Sequence, residues 1–146
     1  MNIAFSFPSE ALAAKEVQPF VLFRNHVWPS LEARRKDWDA MYDQALGRPE
    51  IDPVFLAGIT ILQMMERLPD RQAVTACRYD ARWRMALGIP VDWPGIDSST
   101  LVYFRRRVAE HGAATVALEA GLDAMRCAGY LRRKNAVRID STHVLG

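Results

Sequence analysis

Asp52-Pro53 opens a run in which Val54, Phe55, Leu56, Ile59, Ile61, Leu62, Met64 and Met65 wrap most of a helical circumference instead of one stripe. An acid ahead of a proline is a helix start: the carboxylate accepts from free N–H groups, and the proline sits where no N–H is needed. A helix that is apolar on nearly every side is stable only when other helices surround it. The segment from Pro53 to Leu68 is therefore the expected core helix, and it commits the chain to a mainly α fold.

The rest of the chain supplies the neighbours. Ser30 is a candidate cap for a helix from Leu31 to Leu46, with Gly47 as its stop and Leu31, Trp38, Met41, Tyr42 and Ala45 on one stripe. Pro69-Asp70 ends the core helix and starts the next, which carries Val74, Cys77, Tyr79, Trp83, Met85 and Leu87 to a stop at Gly88, with a break predicted near Asp80. Two prolines and a glycine make residues 89–98 a loop, with Trp93 as its expected anchor. Ser98, Ser99 and Thr100 are alternative caps for a helix ending near His111, and an alanine-rich helix follows from Ala113 to Cys127. Leu131 to Asn135 is a basic turn, and Ala136 to Asp140 reads as a short strand. The expected fold is a compact bundle of five or six helices with a helix-turn-helix-like pair, ending in one β-strand. Residues 1–29 read as an N-terminal arm, 30–130 as the helical domain and 131–146 as the turn and strand.

Length and charge narrow the class. With 146 residues, 50% of them hydrophobic, the chain can bury one ordinary core. Its 19 basic and 17 acidic residues are unevenly placed: residues 1–97 hold 11 Lys or Arg against 13 Asp or Glu, and residues 98–146 hold 8 against 4. A C-terminal excess of arginine is compatible with a polyanionic partner. Cys77 and Cys127 are far apart and form neither a metal motif nor a disulfide framework, which fits a reducing cytoplasm. Val54 to Met65, the longest apolar segment, falls short of the roughly 20 residues that cross a bilayer, so no membrane role is expected.

Two basic clusters are candidates for nucleic-acid contact. The Ser99 helix offers the hydroxyls of Ser99 and Thr100 at its N-terminus and Arg105, Arg106 and Arg107 one turn on, a combination suited to phosphate oxygens. The alternative is a capped amphipathic helix whose arginines are solvated or paired with Glu110. The pair of helices around the 89–98 loop suggests a helix-turn-helix, although such motifs have turns of three or four residues and this connection has about ten. Arg132, Arg133 and Lys134 can lie along a phosphate backbone or form a plain solvated turn. Asp140, at the tip of the last strand in Arg-Ile-Asp-Ser-Thr-His, is either a turn residue or a metal ligand lacking its companions.

Three blocks in order carry a resemblance: Phe-Leu-Ala-Gly-Ile-Thr-Ile-Leu-Gln-Met-Met-Glu-Arg-Leu-Pro-Asp-Arg-Gln-Ala-Val, then Arg-Trp-Arg-Met-Ala-Leu-Gly-Ile-Pro, then Asp-Ser-Ser-Thr-Leu-Val-Tyr-Phe-Arg-Arg-Arg. Together they resemble the N-terminal domain of InsH-type bacterial insertion-sequence transposases. In that family a helical domain precedes an RNase H-like catalytic domain that opens with a strand ending in Asp-Ser-Thr, which Ile139-Asp140-Ser141-Thr142 matches. The resemblance implies that Asp140 is the first acidic residue of an Asp-Asp-Glu site, with magnesium as the metal of a full-length relative and no cofactor in this chain. It also implies that the second Asp and the Glu fall beyond Gly146, so a truncated transposase without strand-cleaving activity is expected. The partners implied are transposon-end DNA and a second copy or a full-length transposase, in the bacterial cytoplasm or at the nucleoid. The competing expectations are an oligomerisation or inhibitory module of the transposase and an inactive remnant.

Overall fold

The Asp52 cap forms as the sequence predicts, its Oδ1 accepting from the Val54 N–H at 2.9 Å. The fold around it was obtained as a computed structural model that describes residues 8–43, 45 and 49–131. In chain order the elements are α1 (Ser9–Leu12), α2 (Gln18–Leu22), one π-helical turn (Phe23–Val27), α3 (Trp28–Ala33), α4 (Arg35–Asp39), α5 (Pro53–Glu66), α6 (Asp70–Tyr79), α7 (Ala81–Leu87), α8 (Ser98–Ala109) and α9 (Gly112–Cys127). The fold is mainly α, and there is no strand among the described residues. The strand expected at Ala136–Asp140 lies outside them.

α5 is the axis of the bundle. Every residue from Leu56 to Gln63 is buried, as are Pro53 and Val54, and α3, α4, α6, α7, α8 and α9 all pack against it. Burial of each large aliphatic side chain, such as Ile59, Ile61 and Leu62, contributes about 1.5–3 kcal/mol relative to exposure. The helix ends at Arg67, which adopts the left-handed conformation at φ 56°, while the Leu68 N–H reaches back to the Gln63 carbonyl at 3.1 Å. That conformation suits glycine, and a residue with a Cβ adopts it at a cost of about 1–2 kcal/mol.

The region before α5 departs from expectation. Ser30 caps nothing: it lies inside a helical stretch that begins at Gln18-Pro19 and passes through the π turn into α3. Phe20, Phe23, Val27 and Leu31, spaced three, four and four, are all in the core, so the expected arm contributes side chains to the same interior as α5. The misleading signal is Pro29. In a regular α-helix its ring clashes with the carbonyl four residues back; the wider turn just before it, closed by Trp28 N–H to Phe23 O, relieves that clash. The expected Leu31–Leu46 helix is also interrupted. Arg34 breaks it at φ −105°, ψ 26°, and α4 then ends at Asp39. Trp38 nevertheless sits in the core as its stripe requires, its indole Nε1 donating to the Leu31 carbonyl at 3.0 Å.

Two glycines set how closely these helices approach. A Cβ on Gly58 of α5 would lie 2.8 Å from Leu87 Cδ2 and 3.1 Å from Trp28 Cζ3, and one on Gly121 of α9 would lie 2.7 Å from Ile61 Cδ1. The absent side chain is what lets α7, the π turn and α9 close on α5. Gly58→Ala gains helix propensity but overpacks this junction, and a net loss of about 1–3 kcal/mol is expected in urea denaturation; unchanged stability would show that the neighbours can shift freely.

Candidate nucleic-acid interface

α6 and α8 run antiparallel, side by side. Arg105, late in α8, meets Asp70 at the start of α6, and Arg78, late in α6, donates to the Pro94 carbonyl just ahead of α8 at 2.8 Å. The predicted break falls at Asp80, whose Oδ1 accepts from the Arg82 N–H at 2.9 Å and starts α7. A third helix thus separates the expected pair, and the Gly88–Asp97 connection is longer than a helix-turn-helix turn. It is firmly held. Arg84 Nη2 donates to the Pro90 carbonyl at 2.7 Å while its Nη1 caps the last carbonyls of α6 at Cys77 and Arg78. Trp93 anchors the loop, edge-on to Phe55 with ring centroids 5.7 Å apart.

The three consecutive arginines go to three different places. Successive helical residues turn about 100°, so adjacent side chains cannot share a face. Arg105 is 1% exposed and grips Asp70 through two bonds, Nη1 to Oδ1 at 2.8 Å and Nη2 to Oδ2 at 2.9 Å. It points into the domain and is not available to a phosphate. Arg107 donates to the Met41 carbonyl at 3.1 Å and stacks on Tyr42 at 4.4 Å, fastening α8 to the end of α4. Arg106 is exposed and has no ion pair among the described residues, lying 5.8 Å over the ring of Tyr103, which is 61% exposed. Arg132, Arg133, Lys134 and Asp140 fall outside the described residues.

The N-terminus of α8 also differs from expectation. Its cap is Asp97, in an extended conformation, and the Ser99 hydroxyl donates to the Asp97 carboxylate at 2.7 Å. Ser99 and Thr100 are half-buried beside it. A carboxylate at this point already complements the positive end of the helix and repels a phosphate there.

Burial disfavours charge on Asp70, but hydrogen bonds from Arg105 and from Gln63 Nε2 at 2.7 Å, with the Arg105 charge, outweigh it and hold the carboxyl below the usual range. Asp80 follows the same logic: desolvation pushes up, and the Arg82 guanidinium and N–H bring it down further. Burial pushes the Cys77 thiol up to about 12, which makes it a packing residue and not a nucleophile. Among the described residues no group of three or more His, Cys, Asp or Glu could hold a metal ion. No described helix is long and apolar enough to cross a membrane.

Sequence reasoning missed the outer face of α6. Arg71, Gln72, Thr75, Arg78 and Tyr79 are all exposed, with Tyr79 at 76%. The signal was present as polar residues at i, i+4 and i+7 opposite buried Ala73 and Cys77.

Removing one partner of the buried pair strands the other. Arg105→Ala is expected to cost about 3–5 kcal/mol in urea denaturation; a loss below 1 kcal/mol would mean that water reaches Asp70. Because the folded carboxyl titrates below its unfolded value, the pair's stabilisation is complete above about pH 4 and disappears as pH falls through the lower folded value. Asp70→Asn should therefore flatten the acid limb of the stability curve.

The comparisons bear on the unit just described. Neither a curated protein nor a solved structure matches the chain. The family described as Transposase domain (DUF772) matches residues 11–107, from α1 through the arginine triplet of α8. With most of its length matched, the chain belongs to that transposase domain family.

Proposed function

We propose that this domain binds DNA during transposition of an insertion sequence, holding the transposon end through the exposed side of α8. Membership of the transposase domain family carries the reading, and the free guanidinium of Arg106 beside exposed Tyr103 supplies a cation and an aromatic surface suited to it. Ser99 and Thr100 border this surface, Arg107 braces it from the α4 side, and Arg132, Arg133 and Lys134 extend the basic sequence beyond the described residues. Arg105 serves by fixing α8 against α6. On this reading the family relation is of the InsH type, the place of action is the bacterial nucleoid, and Asp140 is the first acid of an Asp-Asp-Glu site.

Mobility or anisotropy of a labelled terminal inverted repeat, across a salt series and against a scrambled duplex, tests this. Binding should prefer the repeat and weaken with salt, and Arg106→Ala should lower the log–log salt slope by about one. Absence of any complex at low salt would end the DNA-binding reading.

One observation favours a second reading, oligomerisation of the transposase. The outer side of α9 exposes Val116 at 56%, with exposed Ala113 one turn before it. A salt-resistant dimer in sedimentation velocity, dissociated by Val116→Arg, is the expected result if that face is an interface; a monomer at all concentrations excludes it.

A further inference from the structure

We infer that α6 joins α8 in contacting duplex DNA: its outer face, with the turn that precedes it, is a cationic edge built to follow a phosphate backbone. This deepens the DNA-binding reading and rests on it. Arg71 and Arg78 stand two turns apart on one exposed side of the helix, with Thr75 between them. Seven residues span about 10.5 Å of helix axis, so the two arginines leave the helix on one line with room for more than one phosphate between them.

The charges on this face are left free by the packing beneath it. Glu66, Asp70 and Asp80 are the carboxylates nearest in sequence, and each is already engaged. Glu66 accepts from Trp83 Nε1 at 2.8 Å and faces Arg82 at 3.5 Å, Asp70 is gripped by Arg105, and Asp80 pairs with Arg82 at 2.7 Å. Among the described residues neither Arg71 nor Arg78 has an acid partner; Arg78 gives one N–H to the Pro94 carbonyl and lays its guanidinium against Gly95, the residue as a whole staying exposed. Asp92 and Asp97 lie in the loop at the α8 end, so the phosphate path is bounded on that side.

Arg67 adds an independent observation. It is exposed, it forms no ion pair among the described residues, and it is the one described non-glycine residue with positive φ, four positions before Arg71. A glycine would end α5 there without strain, and an arginine held in that conformation marks a side chain kept for its chemistry. A polyanion running along Arg67, Arg71 and Arg78 is the partner that this chemistry recognises, and Tyr79 at the end of the row offers a ring to a sugar or base.

The test is fluorescence anisotropy of the full chain with a labelled duplex of arbitrary sequence across a salt series, for wild type, Arg71→Ala/Arg78→Ala, Arg71→Ala alone, Arg67→Gly and Arg106→Ala, with thermal melts of each. The double variant should lose tenfold or more in affinity and about two in salt slope. Arg71→Ala, which leaves the bond to Pro94 in place, should carry about half of that slope change. Arg67→Gly should melt higher than wild type yet bind less tightly, separating contact from folding. If these variants bind as wild type while Arg106→Ala is weakened, the α6 assignment is wrong and the α8 reading stands. If the wild type binds no duplex, both fall; tighter binding to a single-stranded oligonucleotide than to the duplex overturns the assignment to duplex DNA.

Discussion

The buried pair of Arg105 and Asp70, with Gln63 as its third member, decides how the second half of the domain is arranged. Gln63 closes the last buried turn of α5, Asp70 begins α6 and Arg105 sits late in α8. Three helices are thus fixed at one point by directional bonds, whereas apolar packing alone would tolerate rotation of each about its axis. The cost is desolvation of two charges, which the bidentate geometry and the Gln63 bond offset. Rotation of α8 by one residue could offer Asp70 another arginine, but it would turn Leu101, Phe104 and Val108 out of the core, so pair and packing together fix the register.

That constraint produces the surface chemistry. Arg105 draws Asp70 inward at the start of α6, and Arg82 takes Asp80 and Glu66 near its other end. A chain of nearly balanced charge overall thereby presents a face with little acid on it. Net charge is a poor guide to such a surface, because Glu66, Asp70 and Asp80 are spent on internal pairs while Arg67, Arg71 and Arg78 stay outside.

Much of the fold is legible in the sequence because its punctuation is chemical. Asp52-Pro53, the Asp80 break and Gly88 act where cap and turn chemistry places them, whereas Asp70, expected to cap α6, begins the helix but turns its carboxylate to Arg105 and caps nothing. The π turn is not legible, since proline at position 29 looks like a boundary until a wider turn is known to precede it. Nor could residue type alone sort the arginine triplet. A weaker hint was available: Arg105 lies four residues after Leu101 and three before Val108, on the inner side of the helix. What no spacing could supply is its partner, because Asp70 stands 35 residues away and looks like an ordinary cap.

The central position of α5 has a consequence for how such a domain can be inherited. Its buried surface is shared with helices from both ends of the chain, so no contiguous fragment carries a complete interior. A segment from α6 to α8, lifted out and joined to another protein, would leave Gln63 behind and bare the underside of both helices. The face toward a ligand can therefore vary residue by residue, but it cannot travel between proteins as a cassette. The interior is whole only where α2 through α9 come together.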